Sequence, residues 1–395
     1  MIIKAAKRTE SVQEYYFSRM LKDIEAMNAE RVGRGEEPVI YLGIGSPDGM
    51  PPTEAVDALC ESAREAGNHA YQSYVGLPQL RKAFADWYGR WYGVELDPAS
   101  QIQPLAGSKE AILLISLAFL DKGDKVLIPD PGYPTYSSAS RLVEAEILTY
   151  DLCESNGWWP DFEALEEMDL EGVKIMWTNY PNMPTGGQAQ MKTYERLVRF
   201  AKEHDIVVEN DNPYSFILNE GEKLSILQVE GAKDCCIEFN SMSKSHNMPG
   251  WRVGMLTTNS EFISCILKVK SNIDSGTFRA LQLAAAQAYD NTEEWHSVAN
   301  IQTYANRRAM AREIMDTLHC SYDMNQVGMF LWGRIPDSYS NVEELTERVL
   351  HEARVFITPG FIFGSNGERY LRISLCAKDE KFKEAVARIK ALKWQ

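Results

Sequence analysis

The sequence predicts an α/β protein: a mostly parallel seven-stranded sheet with helices on both faces, joined to a smaller α+β part. Three observations carry this expectation. Seven short apolar runs, most of them rich in β-branched residues, recur from about residue 100: IQPL, KVLIP, EILTY, VKIMWT, DIVVEND, CCIEFN and RVGMLTT. Several of these runs alternate with stretches of helical spacing such as KEAILLISLAFL and TYERLVRFAKEH. Near residue 285 the rhythm changes to a long helical region, EEWHSVANIQTYANRRAMAREIMDTL, followed by a few strands and the closing helix DEKFKEAVARIKALKWQ.

In chain order, the opening segment SVQEYYFSRMLKDIEAMNAERVGRG places Tyr16, Met20, Ile24 and Met27 on one helical face and stops at Gly33. PVIYLGIGSPDGMPP then reads as a short strand that breaks into a turn rich in Gly and Pro. At 395 residues the chain exceeds the size at which one core keeps growing. The expected division is therefore 1–47 packing with the C-terminal part, 48–285 as the large domain and 286–395 as the small one.

Composition narrows the function. Hydrophobic residues make up 45% and charged residues 25%, as in ordinary globular proteins. No apolar run is long enough to span a bilayer, and the N-terminus turns polar too early for a signal peptide, so a cytoplasmic location is expected. A formal charge of −15 argues against a nucleic-acid or anionic-membrane surface but leaves room for an anionic small ligand. Seven cysteines without a C-x-x-C pair read as buried thiols, and six histidines without metal-ligand spacing predict no metal site.

Ligands of open α/β sheets bind beyond the carboxyl ends of the strands, and three polar clusters fall at such ends. After IQPLA, Gly107, Ser108 and Lys109 open a helix whose free N–H groups suit a phosphate, although a plain cap by Ser108 would look the same. Asp211 ends the run DIVVEND, with Tyr214 one turn further on. CCIEFN leads into NSMSKSHNMPGWRVGM, which carries Ser241, Ser243, Lys244 and Arg252. Singly, each would pass for a turn-former or a solvated charge. Together they offer an amine able to attack a carbonyl, hydroxyls and a guanidinium for a phosphate, and a carboxylate for a basic ring nitrogen. An aldehyde, a phosphate and a ring nitrogen on one molecule describe pyridoxal 5'-phosphate.

At this point the chain resembles the class I/II aminotransferases, pyridoxal phosphate enzymes of fold type I, from about residue 40 to the C-terminus. SMSKSHNMPGWRVG is similar to the cofactor-lysine signature, which makes Lys244 the Schiff-base residue and Arg252 a phosphate ligand beside Ser241. DNPY resembles the family's Asp-x-x-Tyr, so Asp211 would pair with the ring nitrogen and Tyr214 would bond the ring hydroxyl. AGSKEA matches the phosphate turn, and PGYPTY would place Tyr133 on the ring face. YQSYVGLPQLR implies that Tyr71 reaches the phosphate of a neighbouring subunit, and hence a homodimer completed by the SNIDSG loop. LGIGSPD would put Gly45 near the substrate, and GFIFGSNGERYLRISL would make Arg372 the bidentate fork for the substrate's α-carboxylate.

One departure stands out: YPNMPTGG carries Met183 where the family's asparagine bonds the ring hydroxyl, and a thioether donates nothing. Tyr214 would carry that contact alone, or Asn182 would shift to share it. Arg279, in SNIDSGTFRALQ, reads as an ordinary surface charge rather than a substrate ligand. The resemblance implies transfer of an amino group between an L-amino acid and a 2-oxo acid. A β-eliminating C–S lyase of the same fold and a regulator with an aminotransferase-like sensor domain are the alternatives.

Overall fold

All seven apolar runs become strands of one sheet. The computed structural model describes residues 2–394. In chain order the strands are β1 (Ile40–Tyr41), β2 (Ile102–Leu105), β3 (Lys125–Asp130), β4 (Glu146–Asp151), β5 (Val173–Asn179), β6 (Val207–Asp211), β7 (Cys236–Ser241), β8 (Gly254–Thr257), β9 (Phe330–Arg334), β10 (Val355–Phe356), β11 (Thr358–Pro359) and β12 (Tyr370–Ser374). The large sheet runs β2-β8-β7-β6-β5-β3-β4. Strand β8 pairs antiparallel with both of its neighbours, and the remaining pairs are parallel.

Both faces of this sheet are covered, which explains why its strands read as continuous apolar runs. On β5, Ile175 and Trp177 point into the smaller core cluster with Ile112, Ile115 and Phe239, while Met176 points into the larger one with Tyr194 and Leu197. The helix Ser108–Phe119 supplies the first cover and Met191–Glu203 the second.

The C-terminal part holds a second sheet, β11-β12-β9, paired antiparallel. Strand β1 pairs in parallel with β10, so the chain before residue 42 is joined to the C-terminal part by backbone hydrogen bonds. Ile24 and Val39 bury against Leu350 and Phe356 at the same place. Arg307 then ties the loop after β1 to the C-terminal helix: it reaches Asp48 at 2.7 Å and Asp379 at 2.9 Å. The long helical region is broken into Glu293–His296, a π-helical stretch Ser297–Gln302 and Thr303–Thr317. Among the described residues no helix is long and apolar enough to cross a membrane.

Candidate active site

Parallel pairing sets the carboxyl ends of β5, β6 and β7 along one edge of the sheet, and two successive antiparallel pairings through β8 bring the end of β2 to the same edge. Asn179 ends β5, Asp211 ends β6, Ser241 ends β7, and Ser108 follows β2 by three residues. Arg252 precedes its strand, yet it arrives at the same edge because β8 is antiparallel: Gly254 pairs with Leu105 on one side and Ser241 on the other. The edge opens into a cavity of about 370 Å³. Its lining includes Gly45, Ser108, Lys109, Tyr133, Met183, Asp211, Tyr214, Ser241, Ser243, Lys244, Arg252 and Arg372.

Lys244 lies on the short helix Met242–Ser245, whose start is capped by the Ser241 side chain. Its amine donates to the carbonyl of Gly45, which fixes the amine beneath the loop after β1. Burial pulls the Lys244 pKa down, and the Arg372 and Arg252 charges add to this while Asp211 opposes it. An amine in that environment is more readily neutral and nucleophilic.

Asp211 is 7% exposed. Its Oδ2 accepts a hydrogen bond from the Tyr136 hydroxyl at 3.2 Å, and its Oδ1 has no partner among the described residues. Burial pushes its pKa up to about 7, against the lowering effects of Tyr136 and Lys244. A buried carboxylate oxygen without a partner costs free energy unless a donor meets it. A protonated ring nitrogen is such a donor.

The helix Ser108–Phe119 has Gly107 at its N-cap, and no side chain caps it. Its first N–H groups are therefore not spent on the Ser108 hydroxyl, which removes the plain-cap reading. Gly107 sits at φ +83°, and a Cβ there would fall 2.1 Å from Arg252 Nη2. A side chain at 107 would both strain this left-handed backbone and push the guanidinium aside, so the turn favours glycine. Arg252 itself donates to Ser243 Oγ at 3.4 Å and to the carbonyls of Pro249 and Ala106.

Arg372 on β12 is a 4% exposed cation with no carboxylate bonded to it. Nη2 donates to the Gly43 carbonyl at 2.8 Å, Nη1 meets the Met183 sulfur at 3.4 Å, and Nε has no partner among the described residues. Phe330, Phe363 and Phe17 surround the guanidinium with ring centroids 4.0, 4.6 and 5.1 Å away. Burial lowers its pKa to about 10. An unpaired buried cation facing a cavity is a ready anion site.

One expected residue turns away from the cavity. Asn182 does not turn into the cavity: it donates to the Asn179 carbonyl and accepts from the Thr185 hydroxyl at 2.6 Å. That leaves Met183 alone facing Arg372. Tyr71, expected at a neighbouring subunit's phosphate, is 91% exposed and outside this cavity, and the half-buried Arg279, read as no substrate ligand, is outside it too, at the start of the helix Arg279–Ala288. Conversely, the N-terminal helix reaches the site, which sequence reasoning missed. Tyr15, Phe17 and Ser18 line the cavity, and the Lys109 amine sits 4.5 Å from the Tyr15 ring centroid. The signal was the aromatic run Tyr15-Tyr16-Phe17 at the head of an otherwise polar helix.

The residues therefore fit pyridoxal phosphate at a paired nitrogen, an attaching amine and a phosphate cradle. Comparison with known proteins agrees. The family model "Aminotransferase class I and II" matches residues 37–389. The LL-diaminopimelate aminotransferase of Dehalococcoides mccartyi is 38% identical over 394 residues, covering 100% of both chains. That of Aquifex aeolicus is 40% identical over 376 residues, covering 95% of this chain and 96% of the relative. The substrate-bound structure of BacF from Bacillus subtilis superposes with a TM-score of 0.91 at 31% identity, covering 98% of each chain. The chain belongs to the class I and II aminotransferases, enzymes that use pyridoxal 5'-phosphate to move an amino group between an amino acid and a 2-oxo acid.

Proposed function

We propose that Lys244 attaches the cofactor and then serves as the base for the donor's Cα proton, and that Asp211 holds the ring nitrogen. The observation that carries this reading is one cavity in which an amine of lowered pKa, an unpartnered carboxylate oxygen and a guanidinium without an anion face each other. When bound, pyridoxal phosphate supplies an aldehyde for the donor's amine and a ring that accepts electrons as the Cα proton leaves.

The chain's own groups do the rest. Lys244, whose burial lowers its pKa and so favours the neutral amine, would take the proton. Arg372 receives the α-carboxylate on its free donors, and the Gly45 carbonyl steadies the amine beside it. Gly107, Ser108, Lys109, Ser241, Ser243 and Arg252 would hold the phosphate, Tyr133 would cover the ring face, and Tyr214 would bond the ring hydroxyl. Met183, flanked by Asn182, offers that hydroxyl no donor.

The donor is read as an amino acid with a second charged terminus, LL-diaminopimelate being the first to test. The names of the two curated relatives support it. The enzyme is read as cytoplasmic and as a homodimer in which Tyr71 reaches the partner's phosphate; the exposure of Tyr71 supports this. Pairing of β1 with β10 supports a small domain of residues 1–47 and 286–395 beside the large domain 48–285.

One experiment addresses donor and attachment together. The yellow holoenzyme is mixed with LL-diaminopimelate, glutamate, aromatic amino acids and cysteine, and loss of the visible band is followed. Borohydride-treated protein is mapped by mass spectrometry in parallel. Fastest bleaching by LL-diaminopimelate and a label on Lys244 are expected. A label elsewhere refutes the site, and faster bleaching by another amino acid refutes the donor.

A further inference from the structure

Asp211 is held from behind. Its Oδ2 accepts from the Tyr136 hydroxyl at 3.2 Å, and this is the one side-chain hydrogen bond to its carboxylate among the described residues. Tyr136 is fully buried at 0% exposure, with its ring stacked on Trp177 at 5.1 Å and 8°. Its other side meets Tyr133 edge-on at 5.6 Å and 86°. The Ser140 hydroxyl donates to the Tyr136 carbonyl at 2.8 Å and anchors its backbone. A phenol clamped between two rings has one place for its hydroxyl, so the bond to Asp211 is built in rather than incidental.

We propose that Tyr136 is a positioning residue for transamination: its hydroxyl, bonded to Asp211 Oδ2, keeps the proton shared by Asp211 Oδ1 and the cofactor's ring nitrogen on the nitrogen. The inference rests on the reading that Asp211 faces that nitrogen. Charge on a carboxylate is shared by its two oxygens, so a donor on Oδ2 lowers the proton affinity of Oδ1. In a buried site the effect is not diluted by water. Without the donor, Asp211 takes the proton itself and the ring nitrogen loses its charge, which weakens the ring as an electron sink.

The other groups around Asp211 cannot substitute. Lys244, Tyr214 and Tyr133 all line the cavity, where the cofactor and the reacting atoms belong, and none of them donates a hydrogen bond to the Asp211 carboxylate among the described residues. Glu238 acts from the opposite face of the sheet and raises the Asp211 pKa. Burial holds the Tyr136 phenol well above its usual pKa, so it remains a donor throughout the working range.

The test uses holoenzyme loaded with cofactor labelled with ¹⁵N at the ring nitrogen. Tyr136→Phe is expected to lose about tenfold to a hundredfold in kcat, the range for a hydrogen bond to a charged group, with KM unchanged. Its ¹⁵N resonance should move toward the unprotonated position, and Tyr136→His, which restores a donor, should recover part of both effects. Site-specific 3-fluorotyrosine at 136 keeps the packing but donates more strongly, and should move the resonance the other way. A Phe variant with the label on Lys244 but unchanged kcat and ¹⁵N shift overturns the proposal. Should Tyr136→Phe fail to fold, an unmoved resonance in the fluorotyrosine protein overturns it instead. Absence of cofactor from Lys244 in the wild type would refute the parent reading, a distinguishable result.

Discussion

Two neighbouring strands bury three carboxyl groups in three different ways. Glu238 on β7 is satisfied: the hydroxyls of Tyr88 and Ser225, the Asn210 amide and the Ile226 N–H all donate to it. Asp211 on β6 has one donor and one unpartnered oxygen facing the cavity. Glu209, two residues earlier on the same face, has no partner for either oxygen among the described residues and lies level with Trp177. Burial raises the pKa of all three, but only Asp211 has somewhere to spend its charge. The comparison teaches that burial alone does not mark a functional acid. The mark is an unspent lone pair pointing at space that a ligand can fill.

Three substitutions test this contrast. The largest effect is expected for Asp211→Ala, which should cost about a hundredfold to a thousandfold in kcat, comparable to loss of one preorganised electrostatic group. Its apoprotein should melt no lower than the wild type, since a buried and poorly paired carboxyl is removed. A mutant that keeps full turnover, or that melts well below the wild type, would show Asp211 to be structural.

Glu238→Ala should do the opposite, destabilising the fold by about 3 kcal/mol because it strands several buried donors. Denaturant unfolding reads this, while the cofactor-site spectrum of the folded fraction should be unchanged. A neutral result would mean that the network around Glu238 is not the anchor it looks to be.

Glu209→Gln should give the smallest effect and one that depends on pH. The native carboxyl keeps its proton above the ordinary value of 4.5, whereas the unfolded one loses it. Wild-type stability therefore declines relative to the variant as pH rises above 4.5, by about 1 kcal/mol per unit, until the native pKa is passed. Below that pH the difference should be constant. Parallel stability curves from pH 4 to 7 would place a hidden partner beside Glu209.

The site residues differed in how far the sequence exposed them. Lys244, Asp211 and Ser108 were legible because strands that run in the same direction put their carboxyl ends on one edge, so position after an apolar run already implied proximity. Arg252 was legible by resemblance, but its arrival depends on β8 running antiparallel, which an apolar run does not reveal. Tyr136 in PGYPTY drew no reading of its own, because a hydrogen bond across 75 residues leaves no local trace. Asn182 was expected to have freedom that its turn removes. Tyr16 was read as helix face and its neighbours Tyr15 and Phe17 drew no reading, since periodicity reports which side is apolar but not what covers it.

By itself the sequence determined the strand and helix rhythm, the chemistry gathered at the strand ends and the family, because each of these is written in spacing along the chain. Tertiary structure alone decided which buried carboxyl is left with a free oxygen, which phenol stands behind it and which carbonyl holds the reactive amine. Those depend on distances between segments far apart in the chain, and local pattern carries no record of such distances.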